Sequence, residues 1–472
     1  MKLIKVIVLF IFITIVFVPL LLLNTKPKVN SEIDNRMLAE NPFSDEVRKR
    51  EGADLTVDIE NYLKDRIGFR DEIILMNTVL NDSIFNKMEH PTYAYGKDGY
   101  VFFNYSQPVV FGDFHLTFAD MVKNVQDYCT ERGVPFVFVF NPEKKSVYTE
   151  FLKDGVNFNN DWIDTFLGEL DKRGVNYVNN TEVLIDKKND GEQVFNRKYN
   201  AGHWNDLGAF YGVNSILENM QQFFPGVRLN KMDDFVINST LRESLQVSQF
   251  PICDYEPVFS YKGSYDTITS TYEPETKRDP RYQGFMYTVN NDKKASGSPK
   301  TLVFQGSYMN GMGYKFLASS LGEYIAVHDY QNILNFPYYF NLYKPECVVF
   351  EVAEYTFTTG YFDYETMKNI SWNPTISHYA ESKQIADTQK LEADKISIDK
   401  GNVFSTIQWC ADDAYDYVWL YADQEFDMVL SDPENNIYQV TVPNDILKNN
   451  ADEIFIVGGD GTTVNPFQIT GI

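Results

Sequence analysis

From Val6 to Leu23 the chain carries no charged side chain, which commits that stretch to hydrocarbon or to a protein core. With Leu3 and Ile4 the apolar segment reaches about 20 residues, enough for a helix to cross roughly 30 Å of hydrocarbon. A cleaved signal peptide has a shorter apolar core and ends in a small-residue site. Here Asn24-Thr25-Lys26-Pro27-Lys28 comes next with no Ala-x-Ala pattern, so the run reads as an uncleaved signal anchor. Cleaved or not, it exports the rest of the chain. Lysines flank both ends, so the positive-inside rule does not choose an orientation. The very short tail before a long domain favours N-in, C-out, which predicts a single-pass membrane protein with its mass outside the cytoplasm.

A chain of 472 residues predicts two or three domains. A formal net charge of −24 opposes binding to nucleic acid or anionic lipid through a general basic surface, and no nucleic-acid partner is expected. The 31 tyrosines suit stacking on sugars, and an AT-rich genome accounts for them equally well. Cys129, Cys253, Cys347 and Cys410 are far apart and lack paired ligand spacing. They make neither a disulfide scaffold nor a zinc site, and no metal or cofactor is expected. Cys129 and Cys347 fall in apolar helix and strand contexts as core residues.

Past the anchor, the pattern from Asp54 to Asp82 is helical, and Tyr95–Phe103 reads as a turn feeding a buried strand. Helical spacing then recurs around Met121–Cys129, Ile163–Leu170 and Leu207–Leu217. Short apolar strands stand at Val134–Phe140, Val175–Val178, Thr301–Gln305, Tyr324–Val327 and Cys347–Val352. Fully apolar strands separated by helices predict an α/β fold with a parallel sheet covered on both faces. After about Lys390 four short strands, Tyr415–Tyr421, Phe426–Leu430, Tyr438–Val442 and Ile454–Val457, predict a small all-β sandwich. Such a module serves as a carbohydrate-binding or docking domain, or as a structural cap. The expected organisation is a transmembrane signal anchor at 1–24, a polar stalk at 25–55, an α/β domain at 56–388 with an insertion at about 225–300, and the sandwich at 389–472.

Two segments carry candidate chemistry. In Asn200-Ala201-Gly202-His203-Trp204-Asn205-Asp206 the histidine stands on a loop at the mouth of a helix. In Phe304-Gln305-Gly306-Ser307-Tyr308 a buried strand runs into Gly-Ser and a helix start. That is what a nucleophilic serine needs: the strand end lifts the hydroxyl above the sheet, and free amides of the next helix can stabilise an oxyanion. Asn141 and Lys144, after the strand ending at Phe140, are candidates to donate to an oxyanion or to steady a substrate oxygen. Lys145 reads as an exposed loop charge, and Glu351 and Glu354 at another strand end as cleft or structural residues.

Together these segments resemble the SGNH-hydrolase-like O-acetyltransferases of exopolysaccharide modification, the alginate acetylation proteins and their Gram-positive relatives often called DHHW proteins. The resemblance lies in Asp34-Asn35-Arg36-Met37-Leu38-Ala39, in Tyr62–Asp71, in Gly96–Phe102, in Pro142–Tyr148, in His203-Trp204-Asn205 with Gly208-Ala209, and in Gly306-Ser307-Tyr308, all in the family's order. It spans residues 34 to about 360 and implies a flavodoxin-like sheet, Ser307 as nucleophile and His203 as its general base. Gly306, Tyr308 and Trp204 join the oxyanion and substrate-binding candidates. The family's aspartate two positions before the histidine is replaced by Ala201, so Asp206 or Asn200 would have to orient the imidazole. The implied function is extracytoplasmic O-acetylation of a bacterial cell-envelope or secreted polysaccharide through a serine acyl-enzyme. The acyl group would be relayed by a multi-spanning membrane O-acyltransferase, because acetyl-CoA is absent outside the membrane. A carbohydrate esterase with the same Ser-His pair and a non-catalytic glycan-binding or assembly protein remain as alternatives.

Overall fold

The structure is a computed structural model that describes residues 2–31, 33, 36–50, 54–104, 108–246, 248–449 and 453–469. Its first element, the helix Lys2–Leu21, contains a 19-residue stretch long and apolar enough to cross a membrane, none of it buried. The segment expected as a stalk folds back rather than extending. Arg36 grips Asp65 with two bonds of 2.7 and 2.6 Å, while Arg66 donates to the carbonyls of Ala39 (2.8 Å), Lys26 (2.6 Å) and Leu38 (3.3 Å). The first two motif segments therefore hold each other; Asp34 and Asn35 of the first lie outside the described residues. The expected single helical stretch is two helices, Leu55–Arg66 and Arg70–Phe85, broken at Gly68-Phe69, where Phe69 adopts a left-handed φ of 61°.

Twenty strands make up the sheets among the described residues. They are β1 (Tyr93–Tyr95), β2 (Val101–Phe103), β3 (Phe136–Asn141), β4 (Tyr177–Asn179), β5 (Phe235–Ser244), β6 (Pro251–Tyr261) and β7 (Asp266–Thr267). Next come β8 (Phe285–Val289), β9 (Lys300–Gln305), β10 (Glu323–His328) and β11 (Cys347–Ala353), then β12 (Gln384–Ile385) to β20 (Thr463–Ile469). The main sheet has the order β4-β3-β11-β9-β10-β8-β7. Its first five strands are mutually parallel, as expected; β8 and β7 add an antiparallel edge. Alternation explains why the sheet must be covered twice. Phe136, Phe138 and Phe140 pack with helices Asp113–Glu131 and Asp161–Arg173, while Val137 and Val139 pack with helix Asp206–Met220 on the other face. Cys129 and Cys347 are fully buried in these layers.

The expected insertion splits into two parts. The β5–β6 hairpin stands apart from the main sheet, with Phe235 and Phe259 against helix Asp206–Met220. The stretch behind it returns to the sheet as β7 and β8.

The C-terminal strands β14 (Ile396–Lys400), β15 (Phe404–Cys410), β16 (Tyr417–Ala422), β17 (Gln424–Asp432), β18 (Ile437–Pro443) and β19 (Ile454–Gly459) join β12 and β20 in one antiparallel-dominated sheet. Its order is β12-β20-β19-β16-β17-β18-β15-β14, curled through the long β17 around a core that includes Ile407, Trp409, Leu420, Phe426 and Val440. It is tied to the α/β layers at several points. Arg132 pairs with Asp427 at 3.1 Å, Asn341 donates to the Asp427 carbonyl at 2.9 Å, and Glu275 accepts the amides of Asn402, Val403 and Phe404.

Candidate functional site

Parallel pairing puts the C-terminal ends of β3, β11, β9 and β10 side by side, the edge where open α/β sheets bind ligands. Register aligns Ala353 with Asn141 and His328 with Gln305. Gly306-Ser307 leaves β9 at this edge and enters a helical segment in which the Asn310 amide donates to the Gly306 carbonyl at 3.0 Å. The Ser307 and Tyr308 amides thus belong to the first helical turn, whose N–H groups have no acceptor within the helix.

His203 arrives from the opposite side, on the loop before helix Asp206–Met220. Its Nε2 stands 2.7 Å from Ser307 Oγ, and its Nδ1 stands 3.2 Å from Asn200 Oδ1. The amides of His203 and Gly202 also donate to that oxygen, at 3.0 and 3.4 Å. These donors fix which end of the Asn200 amide faces the ring, so Nδ1 carries the proton and Nε2 presents its lone pair to the serine hydroxyl. With burial and no carboxylate facing the ring, the His203 pKa is pushed down to about 4. The imidazole is therefore neutral at pH 7 and available as a base.

Tyr355, just past β11, completes the constellation. Its hydroxyl lies 2.6 Å from Ser307 Oγ. Because the serine gives its proton towards His203, Tyr355 is the donor in this contact, and burial raises its pKa so that it keeps its proton. Sequence reasoning missed it; the only local signal was its place beside Glu354 at a strand end.

The motif tryptophan and tyrosine hold the two loops together and do not face a ligand. Trp204 and Tyr308 are fully buried. The indole N–H of Trp204 donates to the Tyr308 carbonyl at 3.0 Å, and the Tyr308 hydroxyl reaches the carbonyls of Gly202 at 2.7 Å and Pro142 at 2.8 Å. The His203 loop, the serine turn and the exit of β3 are thereby locked in one geometry.

Other expected site residues have their polar atoms committed elsewhere. Asp206, the first residue of its helix, accepts from the Phe259 amide at 2.8 Å and from Lys315 at 2.6 Å, so Asn200 and not Asp206 meets the imidazole. Lys144 is buried and turned away, donating to the carbonyls of Val101 at 2.7 Å and Arg197 at 3.0 Å; burial pushes its pKa down to about 7. Asn141 donates to Glu351 at 2.7 Å and accepts from Asn180 at 2.8 Å. The Gly306 amide is taken by Glu351 Oε2 at 2.8 Å. Glu351 therefore buttresses the serine turn from below, and burial, with Asp329 nearby, pushes its pKa up to about 8. Glu354 is likewise pushed to about 8 by burial and by Glu143, and accepts from Ser146 and the Glu143 amide. Lys145 is half-buried and pairs with Glu143 at 2.6 Å.

A cleft of about 380 Å³ opens beside Tyr355, walled by Phe103, Lys145, Phe158, Trp162 and Glu354. Among the described residues no cluster of side chains has the composition of a metal site.

Residues 95–246 match the family model described as SGNH hydrolase-like domain, acetyltransferase AlgX. No curated protein sequence matches the chain significantly. Among solved structures it is similar to Bacillus cereus PatB1 at 15% identity, covering 55% of this chain and 95% of that one, with a TM-score of 0.43. It is similar to the O-acetyltransferase domain of Pseudomonas putida AlgJ at 17% identity, covering 59% and 99%, with a TM-score of 0.41. A DHHW family protein from Eubacterium siraeum aligns at 15% identity over 59% and 98%, with a TM-score of 0.40. The resemblance read from the motifs is borne out by this match: residues 95–246 are similar to the SGNH hydrolase-like domain of the AlgX acetyltransferase model.

Proposed function

We propose that the chain is a membrane-anchored, extracytoplasmic O-acetyltransferase that modifies a polysaccharide through an acyl-Ser307 intermediate. The observation that carries this reading is the 2.7 Å contact between His203 Nε2 and Ser307 Oγ, with Nδ1 held on Asn200.

In the first half-reaction Ser307 Oγ attacks the donor carbonyl as its proton passes to His203 Nε2. The negative charge that develops on the carbonyl oxygen meets the Ser307 amide and the Tyr355 hydroxyl. Collapse forms the acyl ester on Ser307, and the departing group takes the proton from His203. In the second half a sugar hydroxyl in the cleft gives its proton to His203 and attacks the ester, returning Ser307 to its free form.

The missing aspartate is less damaging than it looks. Substituting asparagine for the aspartate of a Ser-His-Asp system costs about 10⁴ in kcat because the amide favours the wrong imidazole tautomer. Here two backbone amides hold Asn200 with its oxygen towards Nδ1, so the productive tautomer is the stable one. What is lost is only the carboxylate charge that would favour imidazolium.

The acyl donor must cross the membrane, so a membrane-embedded O-acyltransferase is the proposed partner, and the anchor would hold the domain beside it. Hydrolysis is the second reading, favoured by the open cleft beside Tyr355, which admits water as an acceptor. One assay separates the readings: the full chain is incubated with an activated acetyl ester, with and without oligosaccharide. Acetyl transferred to sugar supports the transferase, and acetate alone supports the esterase. Turnover unchanged in Ser307→Ala would overturn both.

A further inference from the structure

The Arg70–Phe85 helix turns a neutral apolar stripe outward. Phe69, Ile73, Met76, Leu80 and Ile84 follow one another at spacings of three or four and are all exposed, from 45% to 64%. At 100° per residue Glu72 and Asn77 fall at the edges of the stripe. The other acids are engaged: Asp71 with Arg70 at 2.6 Å and Asp82 with the Tyr95 hydroxyl at 2.7 Å.

This stripe begins where the N-terminal apolar helix ends. The Gly68 amide donates to the Pro19 carbonyl at 2.9 Å, and the Asn24 amide donates to the Arg66 carbonyl at 2.7 Å. A Cβ on Gly68 would sit 2.6 Å from the Leu22 Cβ, so the turn is clasped directly against the last turn of the anchor. On the inward side, Leu75 packs against a small cluster of Met88, Tyr93, Val101, Leu245, Phe250 and Ala201, two residues before His203.

We propose that the outward face of this helix is a membrane-seating surface, with Phe69, Ile73, Met76, Leu80 and Ile84 entering the interfacial layer of the bilayer beside the anchor. The proposal rests on the reading of Lys2–Leu21 as a membrane anchor. The occupant is lipid because the stripe is continuous with the point where the anchor would leave the hydrocarbon. Having no basic residue within it, the stripe binds through apolar burial and not through anionic headgroups. The helix then acts as a spacer. With lipid on one side and the cluster holding Ala201 on the other, it keeps the His203 loop at least one helix diameter, about 10–12 Å, from the membrane surface.

The test uses the full chain in phosphatidylcholine liposomes, with the exposed Cys253 and Cys410 changed to serine. Single cysteines replace Met76, Leu80, Leu9 or Asp154, and each carries an environment-sensitive fluorophore read against lipids with a shallow or a deep quencher. The expected result is at least about two-fold quenching at positions 76 and 80 by the shallow quencher, unaffected by salt. Position 9 is quenched by the deep one, and position 154 by neither. Quenching at 9 with none at 76 and 80 would overturn the seating surface and leave the anchor standing. Absence of quenching at 9 would overturn the anchor reading and the proposal with it.

Discussion

Asn200 Oδ1 lies 3.2 Å from His203 Nδ1, occupying with a neutral amide the place an orienting acid holds in a Ser-His-Asp system. Asn200→Ala removes the acceptor and the anchor for the Gly202 and His203 amides, and is expected to cost roughly 10² to 10⁴ in kcat. Asn200→Asp supplies the missing charge and should keep activity. Equal losses in both variants, measured as kcat on an activated acetyl ester, would show that Asn200 does not orient the ring.

The acid limb of the pH–rate profile depends on the same pair. Catalysis needs neutral imidazole, and the His203 pKa is pushed down to about 4 by burial. Activity should therefore persist as pH falls below 6.5 and decline only on approaching 4. Asn200→Asp raises that pKa and moves the limb upward. The sign for folding agrees: between 6.5 and 4 the unfolded histidine binds a proton that the folded one refuses, so this residue's contribution to stability is lost as pH falls. A kcat/KM profile from pH 4 to 8 reads the first effect, and an unmoved limb in Asn200→Asp would refute it.

Tyr355→Phe deletes one hydroxyl from the serine environment. If that hydroxyl stabilises the oxyanion, kcat falls by about 10² while KM for the ester changes little. A merely structural tyrosine would give the reverse, a lowered melting temperature with kcat intact.

Buried acids give a stability trend opposite to that of His203. Glu351 and Glu354 have pKa values pushed up to about 8. In the unfolded chain such groups ionise near 4.3. Between those values the folded state holds protons that the unfolded state has lost, so their contribution is full at low pH and falls as pH rises towards 8. Melting temperatures measured from pH 5 to 8 should drop with rising pH, and less steeply in Glu354→Gln. An identical slope in the variant would contradict the assignment.

What could be read in the sequence and what could not divide along one physical line. Ser307 and His203 were legible because strand end, glycine and helix start are local signals. Lys144 and Asn141 follow an apolar strand that the sequence announces, but where a side chain ends depends on partners such as Val101 and Glu351, far away in sequence. Asp206 was a reasonable acceptor for the imidazole until the β5–β6 hairpin, which the composition hid, brought the Phe259 amide to it. The edge strand β8 was lost for a related reason, since an antiparallel strand in a Tyr- and Asp-rich stretch is followed only by the five-residue helix Asn291–Ala295, too short to show a periodic pattern. Tyr355 is one of 31 tyrosines, and only the pairing of β11 between β3 and β9 sets it against the serine.

A pair of glycines tests whether the buried tryptophan really fixes the catalytic loops. Gly212 and Gly168 both lie inside helices, Asp206–Met220 and Asp161–Arg173. Propensity alone predicts that alanine at either site stabilises by up to about 1 kcal/mol. A Cβ on Gly168 meets nothing within 4 Å, so Gly168→Ala should realise that gain and leave kcat unchanged. A Cβ on Gly212 would stand 2.3 Å from the Trp204 ring, an overlap that must displace the indole whose N–H holds the Tyr308 carbonyl. Overpacking of this kind costs about 1–3 kcal/mol. Because Trp204 links the two catalytic loops, Gly212→Ala should also lower kcat, although residue 212 touches neither Ser307 nor His203. Thermal melts and ester turnover on the two variants give the comparison, and a Gly212→Ala enzyme with full activity would show that Trp204 packs there without setting the Ser307–His203 distance.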